Sequence, residues 1–241
     1  MRNSQELAAA RWMRSLFVIL SLFTLLIAGC SSDSDNGVSS DDPVDPGPDQ
    51  ATRPEKMVGL DREIVCERDF GDPAKSPYVI PFPVGASHIC THTYCDDLGG
   101  HEKTFAYDFD MAVGDTVVAA REGVIITAVD NFRDGIDINP GQNNQVFILH
   151  EDSTVAWYAH LQQNSLMANE GDTVDLGQPI ALSGNTGNTG GIPHLHFQLF
   201  WDSTSWSRQN SIPVNFCNTN AFLDNNRALK VGVRYHSKVV Q

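Results

Sequence analysis

Positive charge is scarce in this sequence: 16 Lys and Arg stand against 30 Asp and Glu, a formal net charge of −14. A phosphate backbone is bound through a basic footprint, so no nucleic-acid partner is expected. Cysteine is sparse as well, with 5 in 241 residues. No long amphipathic helix can be traced, and no His-Glu-x-x-His pattern occurs, which excludes the helical type of zinc protease. A Gly-x-Ser-x-Gly elbow is missing too, which removes the serine-hydrolase reading. What remains is a chain of short β-type runs punctuated by Gly, Asp and Asn.

The first thirty residues stand apart. Leu16 to Ala28 is apolar, preceded by Arg2, Arg11 and Arg14, with Glu6 as the only acid. The run is too short for a confident spanning helix and reads, over residues 1–29, as a secretory signal. It ends Leu26-Ile27-Ala28-Gly29-Cys30, which resembles a bacterial lipobox. That resemblance implies acylation of Cys30, so the membrane is met through an N-terminal lipid rather than a span. Serine after Cys30 resembles the outer-membrane-sorted form. The implied location is the cell envelope, on the periplasmic face of the outer membrane if two membranes are present. Residues 30–56 carry Asp33, Asp35, Asp41, Asp42, Asp45 and Asp49 among Ser, Gly and Pro. Such a stretch has nothing apolar enough for a core and reads as an acidic disordered tether. Residues 57–241 are then one β-rich domain.

With Cys30 assigned to lipid, Cys66, Cys90, Cys95 and Cys217 are left. An even number in an exported chain reads as two disulfides. Of three pairings, Cys90–Cys95 with Cys66–Cys217 is favoured, the second joining the start of the domain to its end. A metal site built from Cys90, Cys95 and His88 or His92 is the alternative, which an oxidising compartment disfavours.

The domain reads as mainly β. Residues 77–83 form an extended or edge segment between prolines, and residues 85–101 are loop-like. Strands are expected over 105–112, 116–119, 123–130, 145–150, 154–160, 173–176, 178–183, 194–200 and 229–235. Helix is limited to a turn or two at 161–169 and 220–229. Short spacings favour an antiparallel sandwich or open barrel. Gly114-Asp115-Thr116-Val117 is echoed by Gly171-Asp172-Thr173-Val174, which reads as two similar hairpins.

The chemistry gathers on histidine. His194-Leu195-His196-Phe197-Gln198-Leu199 alternates with a period of two, so His194, His196 and Gln198 share one face. A bare His-x-His also occurs as two surface histidines, so other ligands are needed. An open zinc site takes three N or O ligands. The domain offers His101, His150, His160, His194 and His196, with Asp108 and Asp110 on one face of the run 105–111. His160 closes the apolar run Trp157-Tyr158-Ala159, where a terminal histidine can enter a cleft.

Three blocks resemble the lysostaphin/LytM-type zinc endopeptidases that act on bacterial peptidoglycan, over about residues 78–235. The first is Tyr107-Asp108-Phe109 followed by Gly114-Asp115-Thr116-Val117-Val118-Ala119-Ala120 and Gly123-Val124. The second is Tyr158-Ala159-His160-Leu161. The third runs from Ser183-Gly184-Asn185-Thr186-Gly187 to His194-Leu195-His196-Phe197. The resemblance implies a mainly β lysostaphin-type peptidase fold and one zinc per chain. It makes Asp108 and His196 metal ligands, and His160 and His194 catalytic histidines. The remaining ligand departs from the family's usual His-x-x-x-Asp spacing, because Thr104 stands four residues before Asp108. His101, seven residues before Asp108, is expected to fill that place, the two glycines ahead of it easing the turn.

The activity implied is hydrolysis of peptide cross-links or stems of peptidoglycan. The alternative is a metal-poor relative that regulates a partner cell-wall hydrolase, which would follow if Thr104 marked a lost ligand. A barrel that only binds a carbohydrate or metabolite accounts for neither His160 nor the His-x-His pair. A monomer is expected.

Overall fold

In a computed structural model, described for residues 56, 60–96, 100–135, 141–219 and 222–240, the chain is almost entirely β. The expected signal at 1–29 and all of the expected tether but Lys56 lie outside the described residues. Among those described, no helix is long and apolar enough to cross a membrane.

The described residues form eleven strands: β1 Ser87–His92, β2 Ala106–Phe109, β3 Thr116–Val118, β4 Gly123–Val129, β5 Gln145–Leu149 and β6 Val155–Ala159, then β7 Thr173–Val174, β8 Pro179–Leu182, β9 Leu195–Phe200, β10 Ser211–Ile212 and β11 Arg234–His236. Among the described residues, helical structure is one six-residue helix, α1 Arg62–Glu67, capped by the Asp61 side chain on the Ile64 N–H, and two single 3₁₀ turns. The main sheet runs β11-β1-β2-β9-β6-β5-β4-β7 with β10 beside β9, while β3 and β8 pair separately. Every pair in the main sheet is antiparallel.

Two expectations are corrected here. Residues 161–169 form a turn and a bridge with Ser183, not helix, and the described part of 220–229 is a bridged turn closed by Leu223 and Leu229. The stretch 85–101, read as loop, begins with β1. Residues 77–83, expected to be an extended or edge segment, join no strand, and the Phe82 N–H donates to the Ile80 carbonyl at 2.8 Å in a tight turn. Their backbone instead bonds to the link between β3 and β4, Val79 N–H donating to the Ala120 carbonyl at 2.8 Å.

The sheet's two faces differ. Tyr107 and Phe109 on β2 and Leu195, Phe197 and Leu199 on β9 are at most 1% exposed, within the main core. Asp108, His196 and Gln198 point to the other face, as the period of two requires. Register then does the rest. Asp108 stands opposite His196, and His196 opposite Ala159, so three adjacent strands present the three sequence blocks side by side. The two Gly-Asp segments share a turn but do not form the two expected hairpins, since β3 pairs with β8 and β7 with β4. Gly114 and Gly171 have φ of 97° and 91°, and Asp115 and Asp172 each cap a turn N–H at 2.7 Å.

The cysteines pair differently from expectation. Cys66 of α1 is bonded to Cys95, across 29 residues, and Cys90 is free and fully buried. The favoured Cys90–Cys95 and Cys66–Cys217 bridges therefore do not form. Cys90 lies on the core face opposite Phe109, within the main core, and its thiol donates to the His92 carbonyl at 3.3 Å.

Candidate metal centre

Asp108 is the centre of the site. It is buried at 6% exposure, and four imidazoles converge on its carboxylate. His196 Nδ1 lies 2.9 Å and His101 Nε2 3.5 Å from Oδ1. His194 Nε2 lies 3.8 Å and His92 Nδ1 3.6 Å from Oδ2. Burial alone would push the Asp108 carboxyl up. The charge of His101, the hydrogen bond from His196 and the charges of His196 and His194 outweigh it and hold Asp108 well below the usual carboxylate range. It is an anion at neutral pH.

His101, Asp108 and His196 each offer a ligand atom, all within 4.8 Å of one another, and all three residues are buried. Two ligands of a tetrahedral zinc at ~2.0 Å stand about 3.3 Å apart, and the observed 2.9 and 3.5 Å bracket that spacing. The protonation pattern also fits a cation. Burial pushes the His101 imidazole down to about 4, so at neutral pH it carries a lone pair. His196 Nδ1 lies 2.9 Å from Asp108 Oδ1 and its Nε2 3.3 Å from Gln198 Oε1, so without a metal Nδ1–H donates to Asp108, and a metal taken at Nδ1 would leave the proton on Nε2 facing Gln198. One feature departs from common practice: His101 Nδ1 is buried with no hydrogen-bond partner.

The two remaining histidines are anchored alike. His160 Nδ1 is 2.7 Å from the Thr186 carbonyl and His194 Nδ1 is 2.8 Å from the Ile192 carbonyl. A carbonyl only accepts, so Nδ1 carries the proton in both and Nε2 is free. Their rings lie 4.6 Å apart, and that of His160 is 5.9 Å from His196. Burial, then His194 and His196, push His160 down to about 3. His160 adopts a left-handed φ of 64°, and its N–H donates to Asn143 Oδ1 at 2.9 Å. That conformation ends β6 sharply and turns the ring out of the sheet. The Thr186 loop reaches His160 because Gly184 has no Cβ; one there would strike the backbone of Leu161 and Gln162.

All five expected site residues are thus brought together: His101, Asp108, His160, His194 and His196. His194 precedes β9 rather than sitting within it. Asp110 and His150 are elsewhere. Asp110 accepts from the Ile89 N–H and sits near His88 and Arg234. His150 binds the Glu122 carbonyl at 2.7 Å and packs edge-on against Tyr78. Three participants escaped the sequence reading. Gln198 was assigned to the right face without a role. Trp157, whose ring is 4.7 Å from His196, reads as an ordinary strand aromatic. His92 fell in a presumed loop.

Comparison with known proteins follows from this geometry. Residues 102–210 match the family model described as Peptidase family M23. That range holds Asp108, His160, His194 and His196, and begins one residue after His101. Among curated proteins, peptidoglycan DD-endopeptidase ShyA of Vibrio cholerae serotype O1 is 35% identical over 92 residues, 38% of this chain and 19% of that protein. Peptidoglycan DD-endopeptidase ShyC of the same organism is 31% identical over 108 residues, 45% of this chain and 22% of that protein. The matched stretch spans about a fifth of the length of these curated relatives. Among solved structures, the antimicrobial peptidase lysostaphin from Staphylococcus simulans is 28% identical, covering 52% of this chain and 47% of that one, with a TM-score of 0.40.

Proposed function

We propose that this chain, an M23-type peptidase-fold protein over residues 102–210, is a zinc-dependent endopeptidase that cuts peptide bonds in bacterial peptidoglycan. The observation that carries the proposal is the buried His101–Asp108–His196 cluster with two further histidines at its edge. The names of the curated relatives support the substrate class.

In this reading His101 Nε2, an Asp108 oxygen and His196 Nδ1 hold the metal. Zinc there supplies a Lewis acid that polarises the scissile carbonyl and makes a water acidic enough to react near neutral pH. The chain's own groups manage the protons. His160 and His194 each keep Nδ1–H tied to a backbone carbonyl, so each presents Nε2 as a fixed acceptor. One accepts the proton of the attacking water at Nε2, and that same proton then passes to the leaving amine, directly or by way of the other histidine. Gln198 fixes the His196 tautomer through Nε2. Trp157 walls the site on the β6 side and limits water.

The exported setting is part of the same proposal: a signal over 1–29, a lipid on Cys30 and an acidic tether to 56 that carries the catalytic domain above the membrane. The Cys66–Cys95 disulfide supports an oxidising compartment.

The test is metal content and wall hydrolysis measured together on the full chain. About one zinc per chain is expected, with chelator abolishing hydrolysis and His196→Ala lowering both zinc affinity and turnover by at least ~10³-fold. A protein that binds no zinc, or whose hydrolysis survives chelation, overturns the proposal.

A further inference from the structure

We propose that His92 is a positioning residue of this centre, holding the second oxygen of Asp108 so that the first is aimed at the metal; the inference rests on the metal reading above. Three independent features of the chain point to it.

The first is a β-bulge. On β1, Cys90 stands opposite Phe109 of β2, and His92 stands opposite Asp108. Two steps along β1 thus match one step along β2, with Thr91 the extra residue. In an unbroken strand, residues 90 and 92 would share a face. The bulge breaks that rule: Cys90 stays in the core with Phe109, while His92 is turned to the face of Asp108 and His196. Bulges next to sites commonly re-aim one side chain in this way. The Thr91 hydroxyl, donating to the Asp108 carbonyl at 3.3 Å, fastens the bulge to the strand it serves.

The second is the contact itself. His92 Nδ1 is 3.6 Å from Asp108 Oδ2, just outside hydrogen-bond range, while Oδ1 faces His101 and His196. The carboxylate therefore has a metal side and a non-metal side, and His92 and His194 share the second. Of these two, His194 has its Nδ1 proton committed to the Ile192 carbonyl and can offer Oδ2 only a bare Nε2. Among the described residues His92 Nδ1 has no such commitment, and it is the histidine able to donate there.

The third is packing. A Cβ on Gly100 would stand 3.4 Å from Cδ2 of His92, so the backbone that delivers His101 passes over the His92 ring. The rings of His92 and His101 are 6.3 Å apart. His92 is thereby held between the anionic ligand and the loop of the displaced one, with its side chain 35% exposed at the rim.

Outer partners that orient a ligating carboxylate typically change metal affinity by about 10–100-fold when lost. The experiment compares the full chain with His92→Phe, which keeps a ring and loses the donor, and His92→Gln, which keeps an N–H donor. Zinc affinity is read by competition with a chromogenic chelator, alongside apo melting temperature. Loosening of about 10–100-fold in His92→Phe, with His92→Gln within about threefold of the parent, is expected. Unchanged affinity in His92→Phe, or equal loss in both variants, overturns the role while leaving the zinc centre standing. A parent chain that binds no zinc overturns both. Should His92→Phe lower the apo melting temperature, the parent decides by NMR: zinc should protect the His92 Nδ1 proton from exchange, and an exchanging, unshifted His92 overturns the role.

Discussion

The centre has two walls, and they are held by different means. The β6–β9 wall carries His160, His194 and His196, within or beside two adjacent buried strands, with each outer histidine fixed to a backbone carbonyl. The β1 wall carries His92 and delivers His101 from the turn that follows. There the Cys95 N–H donates to the His101 carbonyl at 3.2 Å, and Cys95 is bonded to Cys66 of a short helix. In the first wall sheet register places His196 and backbone carbonyls hold the two histidines that flank the strands, whereas the second depends on a bulge and a covalent tether. A hydrogen-bonded strand places every side chain along it, so it needs no separate device for each ligand.

The comparison can be broken from either side. The largest effect is expected at Gly184→Ala. A Cβ there collides with main chain rather than with a flexible side chain, so the Thr186 loop must move off His160. Hydrolysis should fall by at least ~10²-fold while zinc content stays near the parent's, because Thr186 anchors His160 and none of the three ligands. Loss of zinc in that variant would mean that the two walls are not separable.

Cutting the tether should do the reverse. Cys66→Ser with Cys95→Ser opens a 29-residue loop and should cost about 3 kcal/mol of stability. Zinc affinity should fall as well, since Cys95 orders the backbone at His101, and denaturant melts with zinc competition would read the two effects. Full zinc affinity in the double variant would show that the turn holds His101 without its disulfide.

The smallest effect sharpens the contrast by using a histidine in neither wall. Burial, offset by its bond to the Glu122 carbonyl, pushes His150 down to about 4 from an ordinary 6.5. The unfolded chain therefore takes up a proton first, and stability is lost as pH falls from about 6.5 through 4. In the metal-free protein His101 and His160 act in the same direction. His150→Gln should remove on the order of 2 kcal/mol of that acid-induced loss without changing zinc affinity. An unchanged pH profile of melting would place the acid sensitivity in the metal site instead.

Reading the sequence reached one wall much better than the other, for the same reason that they differ. The alternation over 194–199 and the apolar run before His160 are local patterns, and local patterns survive in a linear chain. The β1 stretch Ser-His-Ile-Cys-Thr-His has only one fully buried residue, Cys90, so its periodicity is too faint to mark a strand. A bulge inside it inverts the face of His92, which no counting by twos can anticipate. Helix α1 escaped because six residues give less than two turns of periodicity. The disulfide was misassigned because pairing is set by which cysteines meet in space, and sequence spacing does not encode that.

By itself the sequence determined a β-rich domain with little positive charge and the identities of five chemically capable residues. Hydrophobic period and residue chemistry are properties of neighbours along the chain, so they can be read from it. Only the tertiary structure decided that Asp108 faces His196 across a strand pair, that His101 closes the triad from seven residues away, and that His92 stands behind the carboxylate. Those facts depend on register, a bulge and a cross-link. Each is a relation between segments distant in sequence, fixed only when the sheet forms.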